Sequence, residues 1–218
     1  MDETRYQSKY KRVGQPYDRK DARDKVTGQA VYAYDLEMPG MLHARVLLSP
    51  YARAKIISID TSKAKALPGV RAVLTGEDSD ILVGLYMQDK RVLSRGETRY
   101  HGDVVAAVAA ETEEIAERAI SLLDVVLEPL EAVHNVDEAL EAKILVHDDI
   151  NNLKHYVGVF FPQKDSNIAS WNKSRKGDLD LAFSESDLVV ENEFSLPAVA
   201  HVPMETHVTI VQTDIFNN

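Results

Sequence analysis

Val104-Val105-Ala106-Ala107-Val108-Ala109-Ala110, followed by Glu113–Leu123 and by Asp124-Val125-Val126-Leu127, is the stretch whose reading decides the fold. The first seven residues are apolar without interruption, the pattern of a strand covered on both faces. In the next segment Ile115, Ala116, Ala119, Ile120, Leu122 and Leu123 recur at helical spacing. Thr112 is placed to cap its start, and Glu114 and Arg118 stand at i,i+4. Asp124–Leu127 then reads as a second strand, ended by Glu128-Pro129. Strand, helix and strand in this order predict a βαβ-like unit.

Working toward the N-terminus, Val70–Leu74, Ala54–Ile59, Leu42–Leu48 and Val31–Tyr34 are short runs punctuated by Pro and Gly, and they read as strands. Thr61–Leu67 reads as a short helix, with Ser62 as its N-cap and Pro68-Gly69 as its stop. Residues 1–24 are polar and charge-dense, an arm with little to bury, of which 1–18 precede the first domain. Working toward the C-terminus, Asn135-Val136-Asp137-Glu138 opens another helix by a capping arrangement. The texture changes near residue 147. Beyond it Asp178–Phe183 reads as a helix, and Leu188–Phe194 and Thr206–Gln212 read as strands.

The chain has 218 residues, with 25 Lys+Arg against 35 Asp+Glu and a formal net charge of −10. That balance, without a basic block, argues against nucleic acid as a partner, because duplex binding rests on neutralising phosphates. No apolar run reaches the roughly 18–20 residues that span a bilayer. The opening Met1-Asp2-Glu3-Thr4-Arg5 lacks the apolar core of a signal peptide, so no membrane and a cytoplasmic location are expected. The absence of cysteine excludes disulfides, a thiol nucleophile and cluster ligation within these residues.

Motif chemistry is sparse. Gly69, Gly76 and Gly84 are too scattered for a phosphate loop, and no G-x-S-x-G occurs. His201, Glu205 and His207 would share one face if the segment were extended, and they are candidate metal ligands. Their spacing matches no zinc signature, so a hydrogen-bonded structural role is the expected one. Tyr100-His101-Gly102-Asp103 reads as a tight turn with an exposed histidine.

Several strings go further. They are Arg19-x-Asp21, Lys25-Val26-Thr27-Gly28-x-Ala30-x-Tyr32-x-x-Asp35, Pro39-Gly40-Met41-Leu42-x-Ala44, Ser49-Pro50-x-Ala52-x-Ala54-x-Ile56 and Ala66-Leu67-Pro68-Gly69-Val70. With Arg99-Tyr100-x-Gly102-Asp103-x-Val105-Ala106, Glu138-Ala139-Leu140 and Val146-His147 in order behind them, residues 19–147 resemble the a/b hammerhead domain of the xanthine dehydrogenase/aldehyde oxidase family. His101 departs from the aliphatic residue usual there. Gly177-Asp178, Ala182-Phe183 and His201-x-Pro203-Met204-Glu205-x-His207 make 148–218 similar to the opening, incomplete, of that family's molybdenum-cofactor-binding region.

The resemblance implies an α+β fold, an α/β hammerhead-like domain followed by the start of an α+β cofactor-binding domain. It implies hydroxylation of an N-heterocycle or an aldehyde at molybdenum in molybdopterin, with electrons leaving through [2Fe-2S] clusters and usually FAD on other domains or subunits. The family's Gly-rich cofactor segment and its glutamate base match no residue here. The expectation is therefore a scaffold and interface, with no catalytic or cofactor-binding residue of its own. Its partners would be the remaining molybdenum-binding region, an iron–sulfur subunit and an FAD subunit. The alternative is a non-catalytic assembly module of the same fold.

Overall fold

A computed structural model describes residues 16–156 and 158–213. The chain divides into two compact units, Gly40–Glu191 and a second made of Met1–Pro39 with Asn192–Asn218.

In the larger unit, β1 (His43–Leu48), β3 (Val70–Thr75) and β7 (Val104–Ala110) form one sheet in the order β1-β7-β3. A second sheet holds β2 (Ala54–Asp60) between β6 (Glu97–Thr98) and β8 (Asp124–Pro129). A small hairpin pairs β4 (Leu82–Val83) with β5 (Lys90–Arg91). Every ladder is antiparallel.

The apolar 104–110 run is thus the central strand, as its composition predicts, but the βαβ reading of 104–127 is corrected. A strand has two edges, and those of β7 are taken by β1 and β3, so β8 pairs with β2 in the other sheet. Three register shifts, at Leu47/Leu48, Ile56/Ser58 and Val70/Ala72, bend the ladders locally.

One face of the β1-β7-β3 sheet carries α2 (Ser62–Lys65) and α3 (Glu113–Ser121). Ala64, Val73, Val108 and Ala119 form the buried cluster there, with Leu67, Val70, Ile120, Leu122 and Leu123 packed around it. Nine residues are too few for an independent helix, so α3 owes its stability to this contact and to its cap. The Thr112 hydroxyl accepts from the Ile115 amide at 3.3 Å, a bond of about 1 kcal/mol.

The i,i+4 pair Glu114–Arg118 gives way to other partners. Glu114 is held below the ordinary carboxylate value by the amide at its own position and by the Thr112 hydroxyl. Arg45 of β1 pairs with Glu113 and Glu117 of α3. At α2 the N-cap is Thr61 rather than Ser62, because the Asp60 carboxylate reaches the Ser62 amide at 2.9 Å and draws Ser62 into the first turn.

After β8, α4 (Val136–Glu141) opens with the expected reciprocal cap. Asn135 Oδ1 accepts from the Glu138 amide at 2.9 Å, and Glu138 Oε2 accepts from the His134 amide at 2.8 Å. Residues beyond 147 pack within the same unit: the Gln88 amide donates to the Lys154 carbonyl at 2.7 Å, and Met87 bridges to His155. A last helix, α5 (Leu179–Glu185), is capped by the Asp178 carboxylate on the Leu181 amide at 3.1 Å.

In the other unit, the end of the charged stretch runs into a helix that composition did not suggest, α1 (Ala22–Thr27), ended by Gly28 at φ 74°. Asp21 explains it: Lys25 Nζ at 2.6 Å and the Arg19 guanidinium at 3.0 Å hold its carboxyl down to about 2. A carboxyl depressed in the folded state stabilises above its unfolded value and loses that contribution as pH falls through the folded one. The Asp21 carboxyl carbon, followed by NMR, is expected to titrate near pH 2, and Lys25→Ala should return the midpoint toward the ordinary 3.8; a midpoint unmoved by that change would exclude Lys25 as the main cause.

Val31–Tyr34 is not a strand. The Asp35 carboxylate takes the Tyr32 amide at 2.9 Å and closes a 3-10 turn over Ala33–Asp35, removing a donor that a ladder would need. Leu188–Phe194 and Thr206–Gln212 are also corrected, since residues 186–213 form no strand and most of their large apolar side chains lie open to solvent, with Val208 and Ile210 half-buried. A strand is a paired object, and no described segment offers these residues an edge. The arm proposed for 1–18 lies mostly outside the described residues.

Candidate functional site

In the larger unit a cleft of about 300 Å³ is lined by residues of β5 and β6, by the turn before β7 and by Val146-His147. The turn comes first. Tyr100-His101-Gly102-Asp103 closes with the Asp103 amide on the Tyr100 carbonyl at 3.1 Å, and Gly102 supplies φ 90°, a conformation that a side chain disfavours. His101 is exposed on it, as its sequence context predicts.

Asp103 is nearly buried, and its two carboxylate oxygens accept from the Arg99 amide at 3.0 Å and the Val104 amide at 3.1 Å. The Arg99 guanidinium spans the cleft wall, donating from Nε to the Val146 carbonyl at 3.1 Å and pairing with Glu97 at 3.1 Å. Arg53 shares Glu97 at 3.1 Å.

Asn167 fixes the opposite lip from twenty-one residues away, accepting from the Val146 amide at 2.8 Å while donating to the carbonyls of Ala139 at 3.1 Å and Ile144 at 2.8 Å. His147 Nε2 stands 3.3 Å from Asp89. Lys90 lies 4.7 Å from the centre of the Tyr100 ring, and a hydrogen bond to Tyr100 raises its ammonium above the ordinary lysine value.

The carboxylates of the cleft therefore have structural partners already: Asp89 with His147, Glu97 with two guanidiniums, Asp103 with two amides. Such an arrangement locks loops together. Two buried polar atoms here have no hydrogen-bond partner, Arg53 Nε and Ser94 Oγ.

The sequence named part of this site. Arg99, Tyr100, Gly102, Asp103, Val146 and His147 all fall in the quoted strings, whereas Asp89-Lys90-Arg91, Ser94 and Glu97 lie outside them. The charge density of 89–91 is the one local signal that could have pointed to the first three.

His201, Glu205 and His207 are not gathered. Val202 has φ 43° and the chain bends at Met204-Glu205, so the alternation that would align them is broken, and all three residues are exposed or nearly so. Among the described residues no group of three His, Asp or Glu side chains stands where it could hold a metal ion.

Comparison with known proteins follows the two regions. Residues 27–131 match the aldehyde oxidase and xanthine dehydrogenase a/b hammerhead domain, and residues 160–217 match a molybdopterin cofactor-binding domain. The chain is 41% identical over 191 residues to a probable xanthine dehydrogenase subunit of Bacillus subtilis, an alignment covering 86% of this chain and 24% of that protein.

Among solved structures, quinoline 2-oxidoreductase from Pseudomonas putida 86 is 37% identical with a TM-score of 0.53, over 60% of this chain and 18% of its own. The Cu,Mo-CO dehydrogenase is 29% identical with a TM-score of 0.60, over 80% and 23%. This chain spans about a quarter of the Bacillus relative's length.

The described part of the second matched region does not by itself fit a molybdopterin. Residues 186–213 are exposed except for half-buried Val208 and Ile210, and the unpartnered buried side-chain atoms found among the described residues, Arg53 Nε and Ser94 Oγ, lie outside it. With an antiparallel α+β sheet system under the first match and the second match following it in order, the chain belongs to the xanthine dehydrogenase/aldehyde oxidase family of molybdenum hydroxylases and corresponds to the N-terminal part of the large subunit.

Proposed function

We propose that this chain is one portion of a molybdenum-containing hydroxylase that oxidises an N-heterocycle or an aldehyde, and that it contributes scaffold and interface rather than catalytic residues. The observation that carries this reading is the commitment of the cleft's carboxylates to guanidinium, imidazole and backbone partners, beside a second region whose candidate ligands His201, Glu205 and His207 are not assembled. Residues 19–147 are the hammerhead domain and 148–218 the opening of the cofactor-binding domain.

The molybdopterin cofactor supplies the hydroxylation chemistry when bound, on residues of the remaining molybdenum-binding polypeptide. Iron–sulfur and FAD subunits take the electrons away. A cytoplasmic location is part of this proposal; among the described residues no helix is long and apolar enough to cross a membrane.

Expressed alone, the chain should be colourless, with molybdenum, iron and flavin each far below one equivalent. Purified from its native host, it should elute in a larger assembly that carries all three and turns over an N-heterocycle or aldehyde. Molybdenum or iron at one equivalent in the isolated chain would overturn the scaffold reading, and recovery from the host as a lone, inactive protein would overturn the enzyme reading.

A further inference from the structure

The β1-β7-β3 sheet has a second face, which is closed at Val105, fully buried on the central strand, and open along Val46 and Leu74. Register defines that face: Val46 and Leu74 lie opposite Ala107 from either side, and Ala44 and Ala72 lie opposite Ala109. The intervening positions point to the helices, since Val73 and Val108 are in the buried cluster and Arg45 pairs with Glu113 and Glu117 of α3. Val46 is 48% exposed and Leu74 46%, with Leu48 at the strand end 49% exposed.

This inverts the usual arrangement. An antiparallel sheet with one wet face alternates apolar-in with polar-out, whereas here the charged side chain of β1 is on the helix side and the open side is apolar. β7 carries the composition of a strand covered twice, and on this face the cover reaches Val105 but leaves Ala107 and Ala109 half-buried.

We infer that this face is the docking surface for the polypeptide that supplies the rest of the family's large subunit. The inference rests on the reading under Proposed function. Length singles out that occupant, for the chain spans 24% of the Bacillus relative and the other three-quarters of such a subunit has to pack somewhere. The chemistry agrees, because a surface without charge, with alanines between Val and Leu ridges, resembles a permanent interface that is a cut core, not the polar patch of a transient encounter.

The chain has no cysteine, which makes the test direct. Val46→Cys and Leu74→Cys, with Arg118→Cys on the helix side as reference, are each labelled with a maleimide in the isolated chain and after co-expression with the remaining large-subunit polypeptide. Both face positions should react in the isolated chain and slow about tenfold or more in the complex.

A complex in which Val46→Cys and Leu74→Cys still react at the isolated-chain rate overturns the inference while leaving the proposed function standing. Protection in the isolated chain with a doubled mass assigns the face to a second copy and overturns it too. Failure to form any complex overturns the proposed function, and this inference with it.

Discussion

Val108→Asp should abolish cooperative folding of the larger unit, or lower its melting temperature by at least roughly 15 °C, the scale expected when about 4 kcal/mol or more is lost from a domain of this size. Val108 is 1% exposed on the central strand and belongs to the cluster formed with Ala64, Val73 and Ala119. Its cluster neighbours are aliphatic and Arg45, opposite it in register, is already engaged by Glu113 and Glu117, so an introduced carboxylate would be buried without water and would compete for a shared cation, among the costlier single changes. Val46→Asp, on the opposite face of the same sheet, should cost far less in the isolated chain, because Val46 is 48% exposed. Circular dichroism melts of the two variants decide the matter: equal losses would mean that the two faces of the sheet are not as unlike as described.

Gly76→Ala is the second large effect expected, and it comes from one methyl group. Gly76 follows β3 directly, and a Cβ there would sit 2.1 Å from the Ser94 carbonyl oxygen and 2.7 Å from its carbon. These are backbone atoms, so the clash cannot be relieved by a side-chain rotation. The Ser94 segment is also pinned from the other side, its amide donating to the Val104 carbonyl at 2.7 Å. A loss of about 2–4 kcal/mol is expected, in the range of overpacked cores. The same push displaces the wall of the cleft, so a melting temperature within 2–3 °C of the parent, by the stability–temperature scale, would show that the 76–94 contact is slack.

Local chemistry in the sequence announced the elements whose determinants are local. The caps at Thr112 and Asn135, the uniform apolarity of 104–110 and the turn at Gly102 could each be read from a few adjacent residues, and the structure places them so. Pairing was not legible in the same way. Whether 124–129 lies beside 104–110 or beside 54–60 depends on which edges of β7 are already occupied, and that is settled by β1 and β3, both far upstream in the chain. The failed strands at 188–194 and 206–212 make the complementary point: their composition is that of a strand, but composition states only a willingness to pair. The cleft was legible where the resemblance reached, at 99–103 and 146–147, and illegible at Asp89 and Asn167, whose roles exist only through contacts formed far along the chain.

The exposed run from Leu188 to Val211 has a consequence for the life of the protein in a cell. Phe194, Leu196, Val199 and Met204 are each at least 80% open to water, spaced along backbone with no ladder to hold it. Apolar residues on unstructured chain are what holdases and processive proteases grip, and steady-state abundance then follows how quickly that grip is denied. Such a polypeptide is expected to be short-lived when synthesised in excess and long-lived when its companions are made at the same rate. Matched synthesis, rather than intrinsic folding stability, would set how much of it accumulates, and pulse-chase half-lives with and without co-synthesised companions would measure that dependence.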